Sequence, residues 1–404
     1  MESPLSPARI LLPREGAERT WSVIACDQFT SDRTYWERVE RTVGDSPSAL
    51  RLILPEAYLE ERDPDAAAGQ CAGNMEAYLN GGILRDAGEC FVYVERTVTG
   101  GLVRRGLVGK LDLEQYDWHP DAGAPVRASE RTVPERLPPR IRVRRTAALD
   151  LPHVMLLMSD EEDRLFSGLT AERESFPMLY DFDLMEDGGH IRGRKVTGKA
   201  AEAVMRALEP GKDGMSLVVG DGNHSLAAAK AVWEEKKKSL PAERLDTCPA
   251  RYALVEVNNV FDDGVVFEPI HRVVTRTDAE ALRASLVSSF SGGTGTGVTL
   301  VTGGEKTALT VPGASLGGVI GTLQRALEDF TAGHGGEIDY IHDDEAALTL
   351  AENEGAAAVL LPAFDKRELF RTVLREGVFP KKSFSIGHAR DKRYYLECRV
   401  LREV

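Results

Sequence analysis

The chain has 404 residues, 42% apolar and 28% charged, proportions that exclude a fibrous or wholly disordered protein and leave room for two or three domains. A net charge of −14 opposes broad binding to a nucleic-acid backbone, but it leaves open a small anion held in a focused basic pocket. No apolar run approaches the roughly eighteen residues of a membrane span, and residues 1–7 lack the parts of a signal peptide, so no membrane partner and a cytoplasmic location are expected.

In chain order, strands are expected at 8–12, 21–25 and 50–54, followed by a helix over 66–79 that stops at Asn80-Gly81-Gly82. Strands at 91–98 and 102–111 flank Thr99-Gly100-Gly101, a hairpin signal. Residues 120–145 carry Pro120, Pro125, Pro134, Pro138 and Pro139 among many arginines and read as an extended, irregular crossing. Then come a strand at 154–158, a helix at 197–208, a buried strand at 216–220, a helix at 223–237, and strands at 252–257 and 265–274. Beyond residue 276, helices at 279–289, 323–331, 345–352 and 366–375 alternate with strands at 298–302, 339–342, 357–361 and 393–401.

These elements predict an α/β protein of mixed α+β character. Three parts are expected: an N-terminal region 1–145 with the Pro/Arg-rich crossing, a central core 146–275, and a smaller C-terminal α+β unit 276–404. The five cysteines are odd in number and scattered, which argues against a disulfide framework or a zinc site. The glycine-rich stretch 292–297 lacks the Lys-Ser/Thr of a phosphate loop and reads as a turn, and Gly304-Glu305-Lys306-Thr307 fails the same test. No Gly-x-Ser-x-Gly elbow, His-Glu-x-x-His or complete dinucleotide fingerprint is read from the chain. Cys26, beside Asp27, is disfavoured as a nucleophile because the neighbouring charge raises a thiol pKa.

The segment that carries chemistry is Asp221-Gly222-Asn223-His224-Ser225, where a buried strand hands over to a helix. A helix start favours an anion, and strand ends of this kind are where α/β proteins place ligands. Asp221 could bind a metal ion or orient a hydroxyl, and His224 could contact phosphate or move a proton. Asp221 could equally just cap the helix, and the pentapeptide alone leaves both readings open.

The strand–Asp-Gly-x-His–helix unit resembles the signature of the domain of unknown function 1015 family, whose commoner form is Asp-Gly-His-His-Arg. The resemblance extends to Ala25-Cys26-Asp27-Gln28-Phe29-Thr30-Ser31, Arg127-Ala128-Ser129-Glu130-Arg131-Thr132, Phe267-Glu268-Pro269-Ile270-His271-Arg272 and Pro380-Lys381-Lys382-Ser383-Phe384. The corner is also similar to the nucleotide-binding corner of the ParB/sulfiredoxin-like fold, which includes kinases of free L-serine. That likeness implies a ParB/sulfiredoxin-like core, ATP or ADP with Mg²⁺, and Asp221, Gly222 and His224 at a phosphate site. Asn223 stands where His is usual and Ser225 where Arg is usual, so a bidentate phosphate ligand is lost.

Arg127, Arg131, Arg142, Arg144 and Arg145 are candidates to replace it, and Glu130 among them could orient a hydroxyl or ammonium. The same arginines could be a solvated strip. His271, Arg272 and Lys382 are further anion-ligand candidates, and Asp27 with Thr30 could face a substrate cleft. The expectation is a nucleotide-dependent phosphotransferase for a small hydroxylated metabolite such as free L-serine. In it Asp221 serves as metal ligand or hydroxyl-orienting acid, His224 and Glu130 share catalysis, and Asn223 and Ser225 line the phosphate site. Alternatives are a non-catalytic nucleotide-binding regulator or a phosphate-ester hydrolase. Self-association is left open.

Overall fold

A computed structural model describes residues 2–59, 61–292 and 294–402. The chain forms a mixed α/β fold of two compact units. One comprises the chain up to Val265 together with the return from Gly387, and the other is Val266–Ile386.

The first unit is built on a large mixed sheet. Its strands run in the order Met178–Asp183, His190–Val196, Leu84–Thr97, Val103–Asp112, Tyr252–Asn259, Met155–Met158, Leu217–Asp221, Val126–Ala128 and Tyr116–Asp117. Strands from either side of residue 145 thus share one sheet. The expected hairpin is present, with Val92 opposite Val108 and Thr97 opposite Val103. Alternation along Leu84–Thr97 sends Val92 and Val94 to one apolar layer with Trp21 and Trp36. Phe91 and Tyr93 go to the other, with Phe166, Leu217 and Trp233.

Helices at Arg33–Val43 and Arg164–Glu172 and strands at Met178–Asp183 and His190–Val196 were not expected, the expected 393–401 strand is two short pieces, and two further segments differ in kind. Residues 50–54 form no strand: a 3₁₀ turn, Ala49–Arg51, opens where Ser48 Oγ accepts from Leu50 N at 3.1 Å. A short apolar run does not distinguish a strand from a buried irregular segment. The Pro-rich crossing is more regular than expected, with a strand at Val126–Ala128 and a helix at Leu137–Thr146. Pro138 and Pro139 fall in that helix's first turn, where backbone N–H groups have no intrahelical acceptor and proline removes nothing.

The second unit has a five-stranded antiparallel sheet in the order Glu305–Val311, Thr296–Thr302, Ala357–Leu360, His271–Thr275, Glu337–Ile341. Helices Ala279–Phe290 and Leu316–His334 pack on one face. The glycine-rich stretch lies between a helix and the Thr296–Thr302 strand, with Gly293 outside the described residues. Contrary to expectation, one Gly-x-Ser-x-Gly spacing does occur, at Gly313-Ala314-Ser315-Leu316-Gly317. Ser315 there is a helix cap: its Oγ accepts from Gly318 N at 3.1 Å and donates to Glu376 Oε2 at 2.5 Å. Among the described residues, no helix is long and apolar enough to cross a membrane.

Candidate active site

The Leu217–Asp221 strand sits inside the large sheet, antiparallel to Met155–Met158 and parallel to Val126–Ala128. Its first three residues, all apolar, are buried. Gly222 turns the chain with φ +84°, and a Cβ there would come within 3.1 Å of Val154 Cα. A left-handed turn this close to another backbone calls for glycine. The helix Asn223–Lys236 starts immediately afterwards, and no described side chain caps it. Asp221 therefore does not act as the cap. Its Oδ1 accepts from Gly222 N at 2.9 Å, and its Oδ2 lies 3.4 Å from Lys392 Nζ.

The first three helical residues diverge. Asn223 Nδ2 donates to Ser129 Oγ at 3.4 Å, and Val133 N donates to His224 Nε2 at 3.2 Å, so both face the Pro-rich segment. Asn223 Oδ1 is buried with no partner among the described residues. Ser225 turns the other way, its Oγ 2.6 Å from His153 Nε2.

His153 and Ser225 form part of the wall of a cavity of about 150 Å³ whose sides include Leu52, Ile53, Leu149 and Tyr395. Arg140 pairs with Glu56 in that wall, and Arg144 with Asp150. Burial pushes Glu56 above its ordinary value against the pull of Arg140. Burial acts on Asp150 as well, but Arg144 and Arg399 hold it below the usual carboxylate range. Burial lowers the His153 pKa and outweighs the opposing charges of Asp27 and Asp221. Burial and the adjacent Asp27 push the Cys26 thiol up to about 12, in keeping with its rejection as a nucleophile.

Lys392 reaches Asp221 from the chain's return, and buried arginines fix that return. Arg96 donates to the carbonyls of Arg390 at 2.6 Å, Asp391 at 3.1 Å and Lys392 at 2.5 Å. Arg104 adds a bond of 2.8 Å to the Asp391 carbonyl. Arg393 pairs with Glu256 at 3.0 Å and also with Glu397, whose Oε1 accepts from Tyr180 at 2.6 Å.

The structure groups Asp221, Gly222, Asn223, His224 and Ser225 at one corner, with Ser129 and Val133 of the Pro-rich segment against them. Glu130 is half-buried next to Ser129, and Arg127 Nε donates to Ala124 O at 2.9 Å. Asp27 lies in the turn after Val23–Ile24; Thr30, exposed, donates to its carbonyl at 3.1 Å. Asp27 is close enough to His153 for its charge to act on the ring. Arg131 is exposed; Arg142 pairs with Asp65 at 3.6 Å and Arg145 with Glu235 at 2.7 Å, both on the surface.

Three candidates belong to the second unit. His271 Nε2 is 2.6 Å from Asp344 Oδ1, buried Arg272 donates to Gln324 Oε1 at 3.2 Å, and Lys382 is exposed in a turn. Sequence reasoning missed His153, Glu56, Arg140 and Lys392. His153 had one faint signal, a polar ring directly before the apolar 154–158 strand.

Fold and site define a mixed α/β protein with a strand–glycine–helix corner that places an acid, a buried lysine and a serine–histidine pair around one helix start. The chain belongs to the family described as Protein of unknown function (DUF1015), whose model matches residues 5–375; the Pro380–Phe384 motif lies beyond that stretch. No curated protein matches the chain.

Similar solved structures include a free serine kinase in complex with AMP, at 13% identity and TM-score 0.39 over 72% of this chain and 91% of that one. A conserved hypothetical protein from Pyrococcus furiosus has 15% identity and TM-score 0.35, covering 71% and 90%. SbnI with a C-terminal truncation, from Staphylococcus aureus, has 9% identity and TM-score 0.37, covering 69% and 82%.

Proposed function

We propose that this protein is a nucleotide-dependent phosphotransferase acting on a small hydroxylated metabolite, with free L-serine the first acceptor to test. The observation that carries the reading is the Asp221–Lys392 pair at the start of a helix that no described side chain caps. Phosphoryl transfer asks a protein mainly for positioning and charge neutralisation. The helix start carries about half a positive charge. Lys392 adds a full one, held in place by its bound backbone carbonyl.

Asn223, with its buried Oδ1 lacking a partner among the described residues, fits a corner built to meet a polar ligand. Asp221 holds the acceptor hydroxyl and takes up its proton, while Asn223 and His224 orient the phosphate against the Pro-rich segment. Glu130, half-buried beside Ser129, stands as a further ligand of the acceptor. No group of three or more His, Cys, Asp or Glu that could hold a metal occurs among the described residues. A Mg²⁺ carried on nucleotide phosphates needs only one or two protein carboxylates, and Asp221 fits that role, where the ion would neutralise phosphate charge.

The test is phosphorus NMR of the purified protein with ATP or ADP, Mg²⁺ and a pool of hydroxylated metabolites that includes L-serine. A new phosphomonoester signal, lost in Asp221→Ala, supports the kinase. Protection against heat by nucleotide without turnover would replace it with a regulatory binder. Phosphate release without an acceptor would replace it with a hydrolase. The absence of both turnover and protection rejects the reading.

A further inference from the structure

We propose that Ser225 and His153 form a nucleophile–base pair that accepts the acyl group of a small uncharged ester in the adjoining cavity, an activity separate from phosphotransfer. Ser225 Oγ and His153 Nε2 stand 2.6 Å apart, the distance of a nucleophile bonded to its base. With Nε2 accepting the serine proton, Nδ1 carries the ring hydrogen; that atom is closed off from solvent and has no hydrogen-bond partner among the described residues. Burial favours the neutral ring, the form a base requires.

Ser225 is the third residue of a fourteen-residue helix, close to the positive end of its dipole, where an oxyanion forming on the bound carbonyl is stabilised.

The cavity selects the substrate class. Leu52, Ile53, Leu54, Leu149, Leu151 and Tyr395 give it apolar walls. Arg140 and Arg144, in the same wall, are already committed to Glu56 and Asp150. The carboxylates of Asp27 and Asp221 also act on the His153 ring. A phosphate entering here would bring two more negative charges to a place whose guanidiniums are taken. An uncharged ester with a short apolar acyl chain brings none and buries its chain against leucines.

The chemistry closes with water as the co-reactant. Ser225 Oγ bonds to the ester carbonyl carbon as its proton passes to His153 Nε2. The carbon–alkoxide bond then breaks, and the alcohol leaves with that proton. Water next attacks the acyl carbon and gives a proton to His153. The carbon–Oγ bond breaks, Ser225 regains the proton, and a carboxylic acid is released.

The test uses the full-length protein without nucleotide, so that its result does not depend on phosphotransfer. The folded protein is treated with phenylmethylsulfonyl fluoride and mapped by peptide mass spectrometry, and hydrolysis of 4-nitrophenyl butyrate is followed in parallel. Modification of Ser225 in the folded but not the urea-unfolded chain is expected, with ester hydrolysis lost in step. His153→Gln should slow the modification by about 10²–10⁴-fold, the usual share of a general base. A folded wild-type chain left unmodified at Ser225, or modified there as fast in urea, overturns the proposal. Equal ester hydrolysis by Ser225→Ala, with its melting temperature kept, overturns it as well.

Discussion

Asp221 Oδ2 lies 3.4 Å from Lys392 Nζ, so the acid of the strand–helix corner is matched by a cation from the chain's late return to the first unit. Lys392 is 7% exposed, and a lysine this buried needs a partner. In Lys392→Met the corner loses its cation. A charge-assisted bond contributes roughly 1.5–3 kcal/mol, so nucleotide binding should weaken about 10- to 100-fold. Thermal shift titration with ATP or ADP and Mg²⁺ reads this, and undiminished protection in the variant would remove Lys392 from the site.

Gly222→Ala tests the turn itself. A side chain at φ +84° costs about 1–2 kcal/mol, and here it would also press on Val154. Urea unfolding should show that loss. A variant as stable as wild type would mean that the corner tolerates a different backbone path.

The pH dependence of stability should carry the mark of His153. Its pKa lies below the ordinary 6.5 because burial disfavours the charged ring, with Arg140 acting in the same direction. Asp27, Asp221 and Asp150 oppose that shift without cancelling it. Below 6.5 the unfolded chain therefore binds more protons here than the folded one, so the stability is present above that value and is lost as pH falls toward the folded pKa. Between pH ~6.5 and ~5, wild type should lose more stability in urea titrations than His153→Gln. Parallel losses would count against a depressed pKa.

Two glycines separate space from propensity. A Cβ on Gly106 would sit 1.9 Å from Glu256 Oε1, displacing a carboxylate that is itself buried beneath Arg393 and Arg104. Gly106→Ala should cost about 1–3 kcal/mol by overpacking. Gly73 is exposed within the Pro64–Asn80 helix with nothing within 4 Å of a new Cβ, so Gly73→Ala should add roughly 0.5–1 kcal/mol. Calorimetric melts of the two variants should move in opposite directions.

The corner was legible because its signals are local. An apolar strand, two glycines and an amphipathic helix follow one another, and Leu217–Asp221 and Asn223–Lys236 appear within a residue or so of where periodicity puts them. The helix at Leu137–Thr146 is masked in sequence because proline signals a break everywhere except the first turn, where Pro138 and Pro139 lie. Lys392 and Arg140 had no local signature, and His153 had only its place before the apolar 154–158 strand. They reach the corner through sheet order and through the chain's return at Gly387, neither of which a period of two or 3.6 encodes. Arg127, by contrast, stands out only by composition, and its Nε donates to a carbonyl of its own loop.

Arg96 and Arg104 bind a stretch of backbone that the ribosome delivers late. When Asp221 emerges, its lysine is still roughly 170 residues away, on the order of ten to thirty seconds of synthesis at about 5–20 residues per second. Until then Arg96 keeps the Gly188 carbonyl but lacks those of residues 390–392, Arg104 lacks that of Asp391, and Glu256 lacks Arg393. The nascent first unit thus waits with open ionic sockets while the whole of Val266–Ile386 is made.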